Sequence, residues 1–439
     1  MNAMNNLKNI FEHKYYGYAM LASVFCYSLF FLSNDAITRT SQVLLFAGSL
    51  PIFIYHRKSV FSDPMFKLLI AAIFLQCLSW AYSSVYLPEF ADSGPKIDRL
   101  AKLFSFFFIA YWLKGKVENV YFLWGTLAAG VMLGCFTQAD FINETTLALT
   151  GKRVDYGLKN AQFATMLAGV SLLIAVFFAY QCVMRARPFK AFSNSKRLLS
   201  LTVIFSSIVF FTFIAMATQS RQVWLALAVV SALLPILFAA VNQTISKKKI
   251  FISYSLLLLI GLGLTQSSLF QKIVNRESAT VEMVLSGNIA DLPMDNTGLR
   301  IHSWFEAITW IKQSPIVGND NSAIGEVIRQ SDKFSDEIKE LIGHLHNYHI
   351  ETLVAYGILG LILVYSLYGW LIRSLYLQRK IHPELTPFLL FSLIFATYWF
   401  IVNSFETFNG RSMGVYVHNI MFAGFYTFYL THSFNQQDH

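Results

Sequence analysis

The chain has 439 residues, 55% of them hydrophobic and only 13% charged, with 41 Phe and a mean hydropathy of +0.49. A soluble domain carries roughly a quarter charged residues, so composition excludes an ordinary soluble protein and predicts an all-α, polytopic integral membrane protein. The net charge of +9 needs no nucleic-acid partner, because Lys and Arg collect in the cytoplasmic loops of membrane proteins.

Apolar runs long enough to cross a bilayer recur from end to end. They fall at about 16–33, 41–56, 66–86, 100–113, 119–138 and 161–183, then at about 199–218, 222–242, 250–267, 348–371, 386–404 and 412–431, so about twelve spans are expected. No cleavable signal peptide is visible, and the first span is expected to be an uncleaved anchor. Cys26, Cys77, Cys135 and Cys182 lie in or beside these runs, with neither metal-type spacing nor a disulfide framework. The basic clusters at 56–58, 114–116, 185–197, 247–249 and 378–380 all fall on one side of such a bundle. That side is the cytoplasm by the positive-inside bias, and both termini share it.

The other side receives one long polar segment, 268–347, between spans 1–9 (residues 1–267) and the closing spans with a short tail (348–439). Loops of that length usually carry function or are disordered. Within it "TGLRIHSWFEAITWIKQSP" predicts a helix with Thr297 at its N-cap, Pro315 beyond its end, and Ile301, Trp304, Phe305, Ile308 and Ile311 on one face. "SDEIKELIGHL" predicts a shorter helix leading into His344.

Ionisable groups gather at this same side: Asp98, Arg99 and Lys102, then Lys152, Arg153, Asp155 and Lys159, then Arg221, Glu351 and Arg411. Charges at one face resemble an enzyme open to that face, whereas an ion-coupled transporter places them near the midplane. Arg221, in a tight external turn, is either a snorkelling anchor or an anion contact, since a guanidinium offers a planar fork of donors to phosphate. Arg300, near the start of the predicted helix, adds a second fork beside free backbone N–H groups. "GHLHNYHIETLVAYG" crowds His344, His346 and His349 with Asn347 and Glu351 at the entry to a span. Three readings stand: a metal site, helix capping, or a general base assisted by Asn347, its ring fixed by Glu351.

Taken in order, "TQSRQVWLAL", "GLRIHSWFEAITWIKQSPIVG" and "HLHNYHIETLVAYGILGL" resemble the O-antigen ligase family, part of a wider group with O-antigen polymerases and protein O-oligosaccharyltransferases. The resemblance implies a membrane glycosyltransferase of the GT-C-like type, metal-independent, inverting and without a cofactor. It would act at the periplasmic face of a Gram-negative inner membrane. The donor implied is O-antigen on undecaprenyl diphosphate, the acceptor a sugar hydroxyl of lipid A–core. By the same resemblance His346 activates the acceptor, and Arg221 and Arg300 neutralise the departing diphosphate. Arg153, His344, Asn347, Glu351, Trp304 and Arg411 are expected to contact substrate. A polymerase or a protein O-oligosaccharyltransferase is the alternative within the group, and a small-solute permease the alternative outside it.

Overall fold

The computed structural model describes residues 13–241 and 282–437, with 248, 250–252, 254, 255 and 278 between them. No strand occurs among these residues. In chain order the helices are α1 (Lys14–Phe30), α2 (Asp35–Tyr55), α3 (Arg57–Ser62), α4 (Pro64–Tyr86), α5 (Asp98–Ala101) and α6 (Phe106–Trp112). They continue as α7 (Val117–Thr137), α8 (Phe141–Leu149), α9 (Ala161–Val183), α10 (Asn194–Ala217) and α11 (Arg221–Val241). Within the long polar segment lie α12 (Asn296–Gln313), α13 (Ala323–Arg329) and α14 (Asp336–Leu341), and after it come α15 (Tyr348–Ile381), α16 (Thr386–Asn403) and α17 (Ser412–Gln437). Eight of the described helices are long and apolar enough to cross a membrane: α2, α4, α7, α9, α10, α11, α15 and α16 with the turn before it. The protein is therefore an all-α, multi-pass membrane protein. The span expected at about 250–267 lies mostly outside the described residues.

α17 runs through the centre, where Val417, Ile420, Met421, Phe425 and Leu430 are fully buried. Around it the aromatics interlock: Trp124 of α7 has ring neighbours Phe177, Phe388, Phe391 and Phe425, all within 5.8 Å between centroids. Such edge and offset contacts add specific geometry to apolar packing.

Residues 100–113, expected as one span, are instead α5, a 3-10 turn over Lys102–Phe104, and α6. The break is tolerated because α17 supplies partners for the freed backbone groups, as a bundle without water requires. Asn419 accepts from the Phe106 N–H (2.9 Å) and donates to the Lys102 carbonyl (3.0 Å), and His418 Nε2 donates to the Leu103 carbonyl (3.0 Å).

α15 is also interrupted. Gly357 has φ +60°, inside an otherwise helical run. The segment Pro315–Asn319 fills the gap: the Pro315 and Ile316 carbonyls accept from the Ile358 (2.9 Å) and Leu359 (3.2 Å) N–H groups, and the Asn319 N–H donates to the Val354 carbonyl (2.8 Å). Only glycine suits both sides of this splice. A Cβ on Gly357 would strike the Ile316 carbonyl, and one on Gly318, at φ +74°, would strike the backbone of Ala355 and Tyr356. The polar segment is thus stitched into a span rather than laid over it.

α12 forms as expected but starts differently. Its N-cap is Asp295, whose carboxylate accepts from the Thr297 (2.9 Å) and Gly298 (2.8 Å) N–H groups, so Thr297 lies inside the first turn. Its buried face is Leu299, His302, Ser303, Ala307 and Trp310, whereas Phe305 and Ile308 of the expected apolar face are exposed. The tightly packed side is turned toward α13 and α15, where Leu345 and Val354 complete a second small core.

Candidate active site

The last turn of α16, the first turns of α9 and α15, and the start of α12 meet at one end of the bundle, around a carboxylate. Glu406 follows α16, is 3% exposed, and takes the Thr407 N–H on Oε1 (3.0 Å). His346 Nδ1 donates to its Oε2 at 3.0 Å. His344 Nε2 stands 3.8 Å from Oε1, and Arg300 Nη2 stands 3.9 Å from Oε2. Gln162, in the first turn of α9, completes the shell: with its amide assigned so that the nitrogen faces the carboxylate, it donates to Glu406 Oε2 and accepts from Arg300 Nη2 at 2.6 Å.

Local structure fixes each of these groups. Leu345 is fully buried between the two histidines, with its N–H on Glu351 Oε1 (2.8 Å) and its carbonyl on the Trp304 indole (2.8 Å). That anchor turns His344 and His346 to one side, their ring centroids 4.0 Å apart. His346 has φ +53°, a left-handed conformation uncommon for any residue with a Cβ and found mostly where surroundings demand it. Asn347 then caps α15, accepting from the His349 (3.0 Å) and Ile350 (3.1 Å) N–H groups. Asn160 caps α9 in the same way, which aims Gln162 at the site.

A second layer holds cations. Arg153 Nε donates to the Thr218 carbonyl (3.0 Å), and Thr218 is itself clamped to Thr165 by a 2.5 Å hydroxyl pair. Arg221 begins α11 three residues beyond Thr218 and is half-buried in the same turn. Arg411, exposed at the start of α17, and Lys159 act electrostatically on one another, and Lys159 also feels Glu406. Glu406 thus has Arg300 beside it and Lys159 within electrostatic reach, while Arg153 acts on Arg300 and Arg411 on His344. That is an excess of positive charge suited to an anion larger than a carboxylate.

Burial, the largest influence, raises Glu406, yet the His346 hydrogen bond and charge, the Thr407 N–H and the nearby His344 outweigh it and hold the carboxyl below its ordinary range. His344 is pushed down to about 4, first by burial, then by the His346 charge. At neutral pH it is uncharged and a weak base. Burial likewise disfavours the Arg300 charge, with Glu406 supporting and Arg153 opposing it. A guanidinium stays protonated throughout.

The sequence reasoning assigned Glu351 to the histidine ring; the structure gives that contact to Glu406. Glu351 is instead committed to the Leu345 N–H and the Thr407 hydroxyl (2.8 Å). Glu406 and Gln162 were not anticipated. Both sit where an apolar run ends, and only the tertiary contacts distinguish them from ordinary end residues.

Two cavities flank this centre. One, about 440 Å³, is lined by Glu144, Arg153, Asp155, Asn160 and Gln162. The other, about 420 Å³, reaches from His344, Glu351 and Arg411 to Arg99, Asn321 and Arg329. Its floor includes Tyr348 and Tyr356.

His344, His346 and Glu406 each offer a ligand atom within 4.8 Å of the others, a geometry that could hold a metal ion. The surrounding charge argues for an anion instead: Arg300 stands 3.9 Å from the shared carboxylate, and Arg411 acts on His344.

Residues 201–365 match the family model described as O-Antigen ligase. No curated protein matches the chain. The matched stretch runs from α10 into α15. Arg221, Arg300, His344 and His346 lie inside the matched stretch, and Arg153, Gln162, Glu406 and Arg411 lie outside it.

Proposed function

We propose that this O-antigen ligase family protein is the ligase itself. It moves O-antigen polysaccharide from undecaprenyl diphosphate to a sugar hydroxyl of lipid A–core, at the periplasmic face of the inner membrane. The observation that carries the reading is the meeting of His346, Glu406 and Arg300 at one buried point, drawn from three separate stretches of chain. The basic loops at the opposite end of the bundle support a cytoplasmic side there, and hence a periplasmic site.

In this mechanism the donor diphosphate lies against Arg300, Arg153 and Arg221, with Gln162 fixing the Arg300 fork. Glu406 takes the Nδ1 proton of His346 in a hydrogen bond. That leaves Nε2 as the basic atom and steadies the ring as it gains charge. The acceptor hydroxyl attacks the anomeric carbon from the face opposite the diphosphate. A C–O bond to the acceptor forms, the C–O bond to the diphosphate breaks, and the hydroxyl proton passes to His346. The released diphosphate keeps the bonding electron pair, and the guanidiniums stabilise it in place of a metal. His344 lacks the short contact to Glu406 and is the poorer base.

The test is complementation of a ligase-deficient Gram-negative strain that makes a compatible core and O-antigen, with membrane levels checked by blot. Wild type should cap lipopolysaccharide with polymer, and His346→Ala and Arg300→Ala should leave the polymer on its lipid carrier. Lengthening of carrier-linked chains without transfer to core would make the protein a polymerase. Activity untouched by either substitution would end the present assignment.

A further inference from the structure

We infer that the 420 Å³ cavity on the His344 side is a sugar-phosphate subsite: it binds a phosphorylated sugar of the lipid-anchored acceptor, apart from the donor diphosphate. The inference rests on the glycosyl-transfer reading above and adds the acceptor's chemistry to it. The volume lies in the roughly 300–1,000 Å³ range of small-ligand sites.

The cations of its wall fall into two groups. Lys96 pairs with Asp92 at 2.7 Å and Arg329 with Glu326 at 2.6 Å, so these are spent on internal ion pairs. Arg99 and Arg411 have no carboxylate within 4.0 Å among the described residues, and Arg99 Nε is buried with no hydrogen-bond partner there. Lys102 stands behind them with its ammonium on the Gly410 carbonyl (3.2 Å), and it feels the charges of both arginines against the single opposing charge of Asp98. Like charges held together at one cavity wall need an anion to offset their repulsion, and two guanidinium forks fit the several oxygens of a phosphoryl group.

A second, independent feature lies in the floor. Tyr348 and Tyr356 are 6% and 4% exposed, and neither hydroxyl has a partner among the described residues. A buried hydroxyl without a partner carries a desolvation cost that a polar ligand would relieve. Sugar hydroxyls or phosphoryl oxygens suit them, and an acyl chain does not.

Position separates this site from the donor's. Arg153 and Gln162 line the other cavity, which shares no lining residue with the one that Arg99 and Arg411 line. An acceptor held here by its phosphate would bring a neighbouring hydroxyl toward the histidine pair, because His344 lines the same cavity as Arg99 and Arg411. Arg411 serves both needs, since it acts on His344 as well as on Lys102.

The experiment uses the full chain in phosphatidylcholine nanodiscs. Binding of phosphorylated lipid A–core oligosaccharide is compared with binding of the same molecule dephosphorylated with hydrofluoric acid. Wild type should prefer the phosphorylated form by at least about tenfold, the scale of one charge-assisted contact. The Arg99→Gln, Arg411→Gln double variant should lose that preference, and Arg99→Gln alone, which touches no residue of the donor cavity, should bind undecaprenyl diphosphate as wild type does. Equal binding of the two forms by wild type overturns the inference without needing any variant to fold. So does a preference retained in the double variant. If phosphatidylglycerol nanodiscs abolish the wild-type preference, the cavity takes a membrane headgroup and the acceptor assignment is wrong. Failure of the ligase reading shows separately, as absence of polymer transfer in the complemented strain.

Discussion

Two buried carboxylates sit at opposite ends of this bundle and are used differently. Asp63 is 1% exposed at the start of α4, where it accepts from the Met65 N–H (2.8 Å) and from the Tyr426 hydroxyl (2.8 Å). Burial pushes it up to about 6. Glu406 is as deeply buried, but its partners are two imidazoles, a guanidinium and an amide. Donors that do not titrate near neutrality make a carboxylate part of the architecture. Groups that exchange protons or carry mobile charge suit it to the proposed reaction centre. Glu351 confirms the rule from within the site, since a backbone N–H and a threonine hydroxyl occupy it.

The largest expected effect tests the reactive end directly. His346→Ala should lower the initial rate of polymer transfer by about 10²–10⁴, the usual worth of a general base, with protein abundance unchanged. Glu406→Gln keeps the size and one acceptor but removes the charge that steadies the imidazolium. It should cost about 10–100-fold in rate, read in the same assay, and it should displace the acid limb of the pH–rate profile. Glu351→Gln, one layer out, should move neither the limb nor the rate by more than about threefold, because only hydrogen bonds to non-titrating donors change.

Stability against pH gives a smaller signal. The unfolded chain protonates His344 near 6.5 and the folded chain only near 4. Unfolding therefore binds a proton across that window, and stability falls as pH drops from about 6.5 toward 4. Glu406 acts lower on the scale. Its contribution is full above its ordinary value of 4.5 and is lost as pH falls through its depressed one. In detergent, His344→Gln should flatten the upper part of the decline in unfolding midpoint and leave the lower part. The smallest effect belongs to the other end. Asp63→Asn keeps the capping oxygen and removes a costly buried charge, so unfolding free energy should shift by less than about 1 kcal/mol in either direction, with transfer unaffected. A large loss of transfer in Asp63→Asn would break the contrast between the two ends.

The apolar periodicity made the membrane class and most helices legible, because a span must be long, apolar and internally hydrogen-bonded. It failed where tertiary partners substitute for helix geometry. The break at Lys102–Phe104 depends on Asn419 and His418, more than three hundred residues away in sequence. The turned face of α12 depends on Leu345 and Val354. In the site, His346 and Arg300 stood out as charged residues in distinctive motifs. Glu406 did not, since "SFETFNG" reads as a plain turn until the chain is folded.

The splice at Gly357 also sets an order of assembly. During synthesis Pro315–Asn319 emerges before Gly357, so the carbonyls that close the break already exist when α15 is made. Until they dock, the Ile358 and Leu359 N–H groups have no partner at membrane depth, where one unpaired group costs several kcal/mol. The first turns of α15, which carry Asn347 and Glu351 and follow His346, therefore cannot settle alone. Docking of the polar segment and formation of the histidine pair become one event, and a chain that inserts its spans without completing that stitch leaves His346 without its place beside Glu406.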